Sequence, residues 1–308
     1  MRNTKSWINI LWVLVVLLGV ARLATTAISP SLTIPVVMAA AVFALIHGLV
    51  RYGWRGILTF LVICLVVSNI LENTSILTGF PFGHYHYTGG GKLFLVPLFI
   101  GPSYFATAYL AWMVAIVPIG EVRRAGSWLT TVGVPVIAAA AMVMWDLTLD
   151  PTASTIKHFW IWEQGGGYFG VPLTNYVGWF FTVYVFLQLF ALFLRFRSSG
   201  DEESQPLPRS YYAQAIISYA VVGLTAVVSY LVFSGNTLVT DAAGVVWQTR
   251  SITEAEATVS IFTMIFLSLL SGLKLLQASA DVPHALNDKK DEADINWRQR
   301  VGGMRSAS

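Results

Sequence analysis

Residues Trp128 to Pro151 read WLTTVGVPVIAAAAMVMWDLTLDP. From Trp128 to Trp145 no side chain is charged, and an apolar helix of about 20 residues crosses the hydrocarbon core of a bilayer. The stretch therefore reads as a transmembrane helix. It ends on two aspartates, Asp146 and Asp150, set one helical turn apart. Ionisable groups inside a bilayer cost several kcal/mol, about 3 on insertion scales, and they mark functional sites.

The same apolar pattern recurs along the chain. Eight spans are predicted, at about 7–28, 33–50, 56–73, 94–118, 128–149, 173–195, 210–234 and 256–277. The chain has 308 residues, 56% hydrophobic and 11% charged, where a soluble domain carries about 25% charge. The fold class is all-α, a polytopic membrane protein with a single helical domain over residues 1–277. Residues 278–308 form a polar tail. The first span has no evident cleavage site and reads as a retained helix. No internal repeat is visible, which weighs against an inverted-repeat transporter.

Charge sets the orientation. With the N-terminus inside, only Arg22, Lys92, Lys157 and Arg250 of the 19 Lys and Arg residues fall outside. Cytoplasmic loops carry the excess of positive charge. The chain is thus expected in the cytoplasmic membrane with both termini in the cytoplasm. The single cysteine, Cys64, lies within a span, so neither a disulfide framework nor a zinc site is expected. The basic residues form no aromatic-basic stripe, and no nucleic-acid partner is expected.

Polar residues gather at one depth. Asn69, Glu72 and Asn73 share a face at the end of the third span, as Met142, Asp146 and Asp150 do at the end of the fifth. Asn175 and Trp179 open the sixth. All lie at the outer end, with two long loops, Glu72–Val96 and Asp150–Pro172, rich in Gly, His and aromatics. Loops longer than about 15 residues are uncommon as plain connectors, so these two are expected to fold over the bundle as a cap. His47, near the inner end of the second span, reads as structural. His84 and His86 are too isolated to read as a metal site, and none is expected.

A carboxylic acid in an apolar pocket can stay protonated at neutral pH, and two neighbouring carboxyls share protons. The cluster thus suits proton delivery in a dry cavity. Trp145, Trp160, Trp162, Tyr168 and Trp179 could stabilise a cation through their ring faces.

Three motifs carry a family resemblance. The first is Glu72-Asn73 followed by Thr78-Gly-Phe-Pro-Phe-Gly-His-Tyr85-His-Tyr87. The second is Trp145-Asp146-Leu-Thr-Leu-Asp150-Pro151. The third is Trp160-Ile-Trp162-Glu163, then Gly166-Gly-Tyr168-Phe-Gly-Val-Pro-Leu-Thr-Asn175-Tyr-Val-Gly-Trp179. Over roughly residues 40–275 the chain resembles the carotenoid biosynthesis membrane-protein family that contains the CruF-type 1′,2′-hydratases.

The resemblance implies addition of water across the C1′–C2′ double bond of an acyclic carotene end group, giving a tertiary 1′-hydroxyl. It implies a carotene substrate within the bilayer, such as a γ-carotene-like or lycopene-like polyene or bisanhydrobacterioruberin, and no cofactor. It leaves room for association with other enzymes of carotenoid biosynthesis. On this reading Asp146 or Asp150 donates the proton, and Glu72 with Asn73 positions and deprotonates the water. Tyr85, Tyr87, Trp145, Trp160, Trp162, Glu163, Tyr168, Asn175 and Trp179 would bind the end group.

Two other readings remain open. Asp146 and Asp150 could hold magnesium in an intramembrane prenyltransferase or cyclase. They could also form a proton relay in a transporter or lipid-binding protein.

Overall fold

The computed structural model describes residues 2–28, 33–197, 207–233 and 235–277. The polar tail and most of the connector at Ser198–Pro208 lie outside the described residues. Among the described residues, seven helices are long and apolar enough to cross a membrane. They are α1 (Arg2–Ile28), α2 (Thr33–Thr78), α3 (Ile100–Ile119), α4 (Trp128–Leu147), α5 (Leu173–Phe196), α6 (Arg209–Val232) and the helix opening with α7 (Thr249–Ser260). The last continues through a π-helical turn, Ile261–Ile265, to Gln277.

At 46 residues α2 is too long for one crossing. It breaks at Gly53, whose φ of 66° and ψ of 173° leave the helical region. A positive φ costs glycine nothing, and any Cβ disfavours it. The two legs then lie side by side, since the Tyr109 ring meets both His47 on the first and Phe60 on the second. These are the legs expected at 33–50 and 56–73.

Helix α3 is the central column. Every residue from Tyr104 to Ile116 is buried, as expected of a helix apolar all round. It packs against α2, α4 and α6, while α4 packs on α5 and α1 on α6. His47 acts as glue here. Its ring stacks on Tyr211 at 3.8 Å and its Nδ1 lies 2.6 Å from the Tyr109 hydroxyl. At the basic end of the bundle, Glu121 accepts from Arg51 and from Tyr212.

Several boundaries differ from the sequence reading. The second leg of α2 runs on to Thr78. α3 starts at Ile100 because Lys92–Leu93 (β2) and Val96–Pro97 (β3) pair as a small hairpin. The last span starts at Thr249, not 256. Arg22, expected in an outer loop, lies within α1.

The chain does not stop at Asp150-Pro151 either. Pro151 has no N–H and cannot bond the Leu147 carbonyl, so the regular α4 ladder ends there. A π-helical turn, Pro151–Ile156, continues the path. The freed Leu147 carbonyl accepts from the Tyr168 hydroxyl at 3.3 Å.

The two long loops do fold back over the bundle. Tyr85–Tyr87 (β1) pairs antiparallel with Trp160–Trp162 (β4), with Tyr85 opposite Trp162 and Tyr87 opposite Trp160. Leu238–Thr240 (β5) and Val246–Gln248 (β6) form a further hairpin. The Ser75 hydroxyl ties the first loop to α2, donating to Gly83 O at 2.9 Å and accepting from Phe82 N at 3.0 Å. Gly178 on α5 lets this loop approach, because a Cβ there would sit 2.7 Å from Pro81 O.

Candidate active site

Beneath the β1–β4 ribbon lies a cavity of about 600 Å³. Glu72 enters from α2, Tyr104 from α3, Asp146 from α4, Asp150 from just before the π-turn, and Asn175 and Trp179 from α5. Tyr85, Tyr87, Trp160 and Trp162 roof it from the ribbon, and Trp145 also lines it. Alternation in β1 sends Tyr85 and Tyr87 inward and His86 outward.

The carboxyls in its wall and Asn175 are nearly closed off: Glu72 is 3% exposed, and Asp146, Asp150 and Asn175 are 1% exposed each. Buried carboxyls need hydrogen bonds, and each has a different set. Glu72 accepts from three phenols: Tyr104 at 2.6 Å on Oε1, and Tyr87 at 3.0 Å and Tyr85 on Oε2. Burial, with the Glu72 charge beside them, holds the Tyr85 and Tyr87 phenols well above their ordinary range. They therefore stay neutral donors.

Asp150 Oδ1 accepts from the indoles of Trp160 at 2.7 Å and Trp162 at 3.3 Å. Asn175 Nδ2 then bridges the two aspartates, 2.7 Å from Asp146 Oδ2 and 2.7 Å from Asp150 Oδ2. Asp146 Oδ1 has no hydrogen-bond partner among the described residues. A carboxylate with three donors is favoured as the anion, and one with a single donor is not. The pair is thus built asymmetrically.

The aromatic wall is continuous. Tyr104 stacks on Trp179 at 4.3 Å with the planes 8° apart, and Trp145 meets Trp179 edge-on at 5.7 Å. Ring faces and carboxylates in one apolar space can stabilise a transient cation.

Three residues expected at the site lie elsewhere. Asn73 bonds Asn69 O at 2.7 Å and accepts from Leu95 N at 2.9 Å, so it ties the first loop to α2. Glu163 points out of the ribbon and meets His86 at 3.4 Å, with both side chains about half exposed. Tyr168 is committed to the carbonyl that Pro151 frees.

Tyr104 was not singled out in the sequence. A tyrosine near the start of an apolar helix reads as an interface anchor, and only the tertiary structure brings it to Glu72. Arg22 and Phe82 line the cavity as well. Among the described residues, no cluster of three or more His, Cys, Asp or Glu could hold a metal ion.

Comparison with known proteins adds two findings. The profile described as "Carotenoid biosynthesis protein" matches residues 28–242. The bisanhydrobacterioruberin hydratase of Haloarcula japonica is 34% identical over 123 residues, which cover 39% of this chain and 40% of that protein. No solved structure matches.

Proposed function

Since the chain belongs to the carotenoid biosynthesis protein family, we propose that it is a carotenoid hydratase. It adds water across the terminal C1′–C2′ double bond of an acyclic carotene end group. The observation that carries this reading is the set of three buried carboxyls on one aromatic-walled cavity, each in a different hydrogen-bond setting. Its similarity to a named hydratase supports the same reaction class.

Asp146 is the acid. Its Oδ2 is held by Asn175, and its unbonded Oδ1 keeps the proton available to the cavity. Transfer of that proton to C2′ breaks the π bond and leaves a tertiary cation at C1′. The faces of Trp145, Trp179 and Tyr104 and the anionic Asp150 stabilise the cation. Water attacks C1′, and its proton passes to the Glu72 carboxylate, whose oxygens the three phenols orient. Net, one water is added. The cycle closes when the proton on Glu72 is lost and Asp146 is reprotonated.

The polyene lies in the bilayer, with its reacting end in the cavity. The protein sits in the cytoplasmic membrane with both termini inside, so the ribbon faces outward. Expression in bacteria making lycopene or γ-carotene tests the reaction. Liquid chromatography with mass spectrometry should show a product heavier by one water, strongly reduced with Asp146→Asn. No such product in either host, nor with bisanhydrobacterioruberin, would overturn the proposal.

A further inference from the structure

Glu256 is a fourth buried carboxyl, 2% exposed, on α7. It lies beyond residue 242, where the family match ends, and it does not line the cavity. A carboxylate placed in a membrane helix is costly unless well bonded. Glu256 is bonded to one residue, Thr152, at two points. Oε1 accepts from Thr152 N at 2.8 Å and Oε2 from Thr152 Oγ1 at 2.7 Å.

The place of Thr152 gives those bonds meaning. It is the second residue of the π-turn Pro151–Ile156, where backbone N–H groups lack a partner within the helix. It follows Asp150 by two residues, and Thr148 precedes Asp150 by two. The Thr148 hydroxyl also reaches the last helix, lying 3.7 Å from Met264 Sδ. The last membrane helix thus grips the chain on both sides of Asp150. The Lys157 ammonium, just past the turn, attracts the same carboxyl.

We propose that Glu256 is a positioning residue: through Thr152 it fixes the turn that aims the Asp150 carboxylate at Trp160, Trp162 and Asn175. Its effect on turnover rests on the hydratase reading; its effect on Asp150 does not. A misplacement of the order of 1 Å costs about a hundredfold in rate.

The test has two arms. In the first, Glu256→Ala should lower kcat by about ten- to a hundredfold with KM for the polyene unchanged. Thr152→Val should fall in the same direction, and the double variant should be no worse than Glu256→Ala. Glu256→Gln, which keeps one acceptor oxygen, should recover part of the loss.

In the second arm, infrared spectra of the purified protein without substrate identify the Asp150 carboxyl band as the one lost in Asp150→Asn. That band should shift in Glu256→Ala and shift less in Glu256→Gln. An unmoved band overturns the proposal, as do losses that add in the double variant or a loss of polyene binding instead of turnover. If the wild type hydrates no polyene, the function fails, while the infrared arm still decides the positioning role.

Discussion

Removing Asn175 distinguishes an ionised from a neutral aspartate pair. Its Nδ2 lies 2.7 Å from both Asp146 Oδ2 and Asp150 Oδ2. If Asp150 is the anion, its bond to Asn175 is charge-assisted and contributes about 1.5–3 kcal/mol. If Asp146 is the neutral acid, its bond is an ordinary membrane-interior hydrogen bond of about 0.6 kcal/mol. Two double-mutant cycles in reversible detergent unfolding, Asn175→Ala against Asp150→Ala and against Asp146→Ala, separate the two terms. The Asp150 coupling should exceed the Asp146 coupling by about 1–2 kcal/mol, the difference between those two ranges. Equal couplings near 0.6 kcal/mol, the membrane average, would show two neutral acids and refute the division of roles. A larger Asp146 coupling would reverse it.

Other outcomes follow from the same geometry. Asp146→Asn should reduce hydration by about 10²–10⁴-fold, the range of general acid catalysis, while polyene co-purification, read from its visible absorption, persists. Tyr104→Phe removes one donor to Glu72 and keeps the stack on Trp179. It should cost about ten- to a hundredfold in kcat, the rate equivalent of a charge-assisted bond, and Tyr104→Leu should cost more. Gly53→Ala meets no atom within 4 Å, so its expected loss of about 1–3 kcal/mol in detergent unfolding is the penalty of a backbone at φ 66°, ψ 173° for a residue with a Cβ. The single native cysteine, Cys64, is buried, which leaves a silent background for labelling. An impermeant maleimide on intact cells should modify Gly89→Cys and spare Arg124→Cys; the reverse would invert the orientation.

The membrane spans were legible because a bilayer demands long apolar runs, and no tertiary contact can waive that demand. The depth of Glu72, Asp146, Asp150 and Asn175 was legible for a related reason: helical periodicity places them at one end of their spans. What tertiary structure adds is direction. Asn73 was expected on the face of Glu72, yet the turn of about 100° between adjacent helical residues brings it to Asn69 O and Leu95 N instead. Glu163 follows Trp162, yet strand alternation turns it outward. Tyr168 has an aromatic face fit for a cation, but the carbonyl freed by Pro151 claims its hydroxyl. Tyr104 and Glu256 carried no local signal, since each gains its meaning from a residue far off in the chain.

The ribbon of β1 and β4 has a consequence for how the site comes into being. Tyr85 and Tyr87, which serve Glu72, sit directly across from Trp162 and Trp160, which serve Asp150. The donors of the two carboxyls are thus neighbours on a single two-stranded piece. A slip of one residue in either strand would turn that strand's inward side chains to the other face and take its donors from the acid it serves. Until both loops have met, Glu72 has only its Tyr104 donor and Asp150 only Asn175. A lesion in either loop should weaken the ribbon that both acids share, so β1 and β4 are under one constraint although 72 residues part them along the chain.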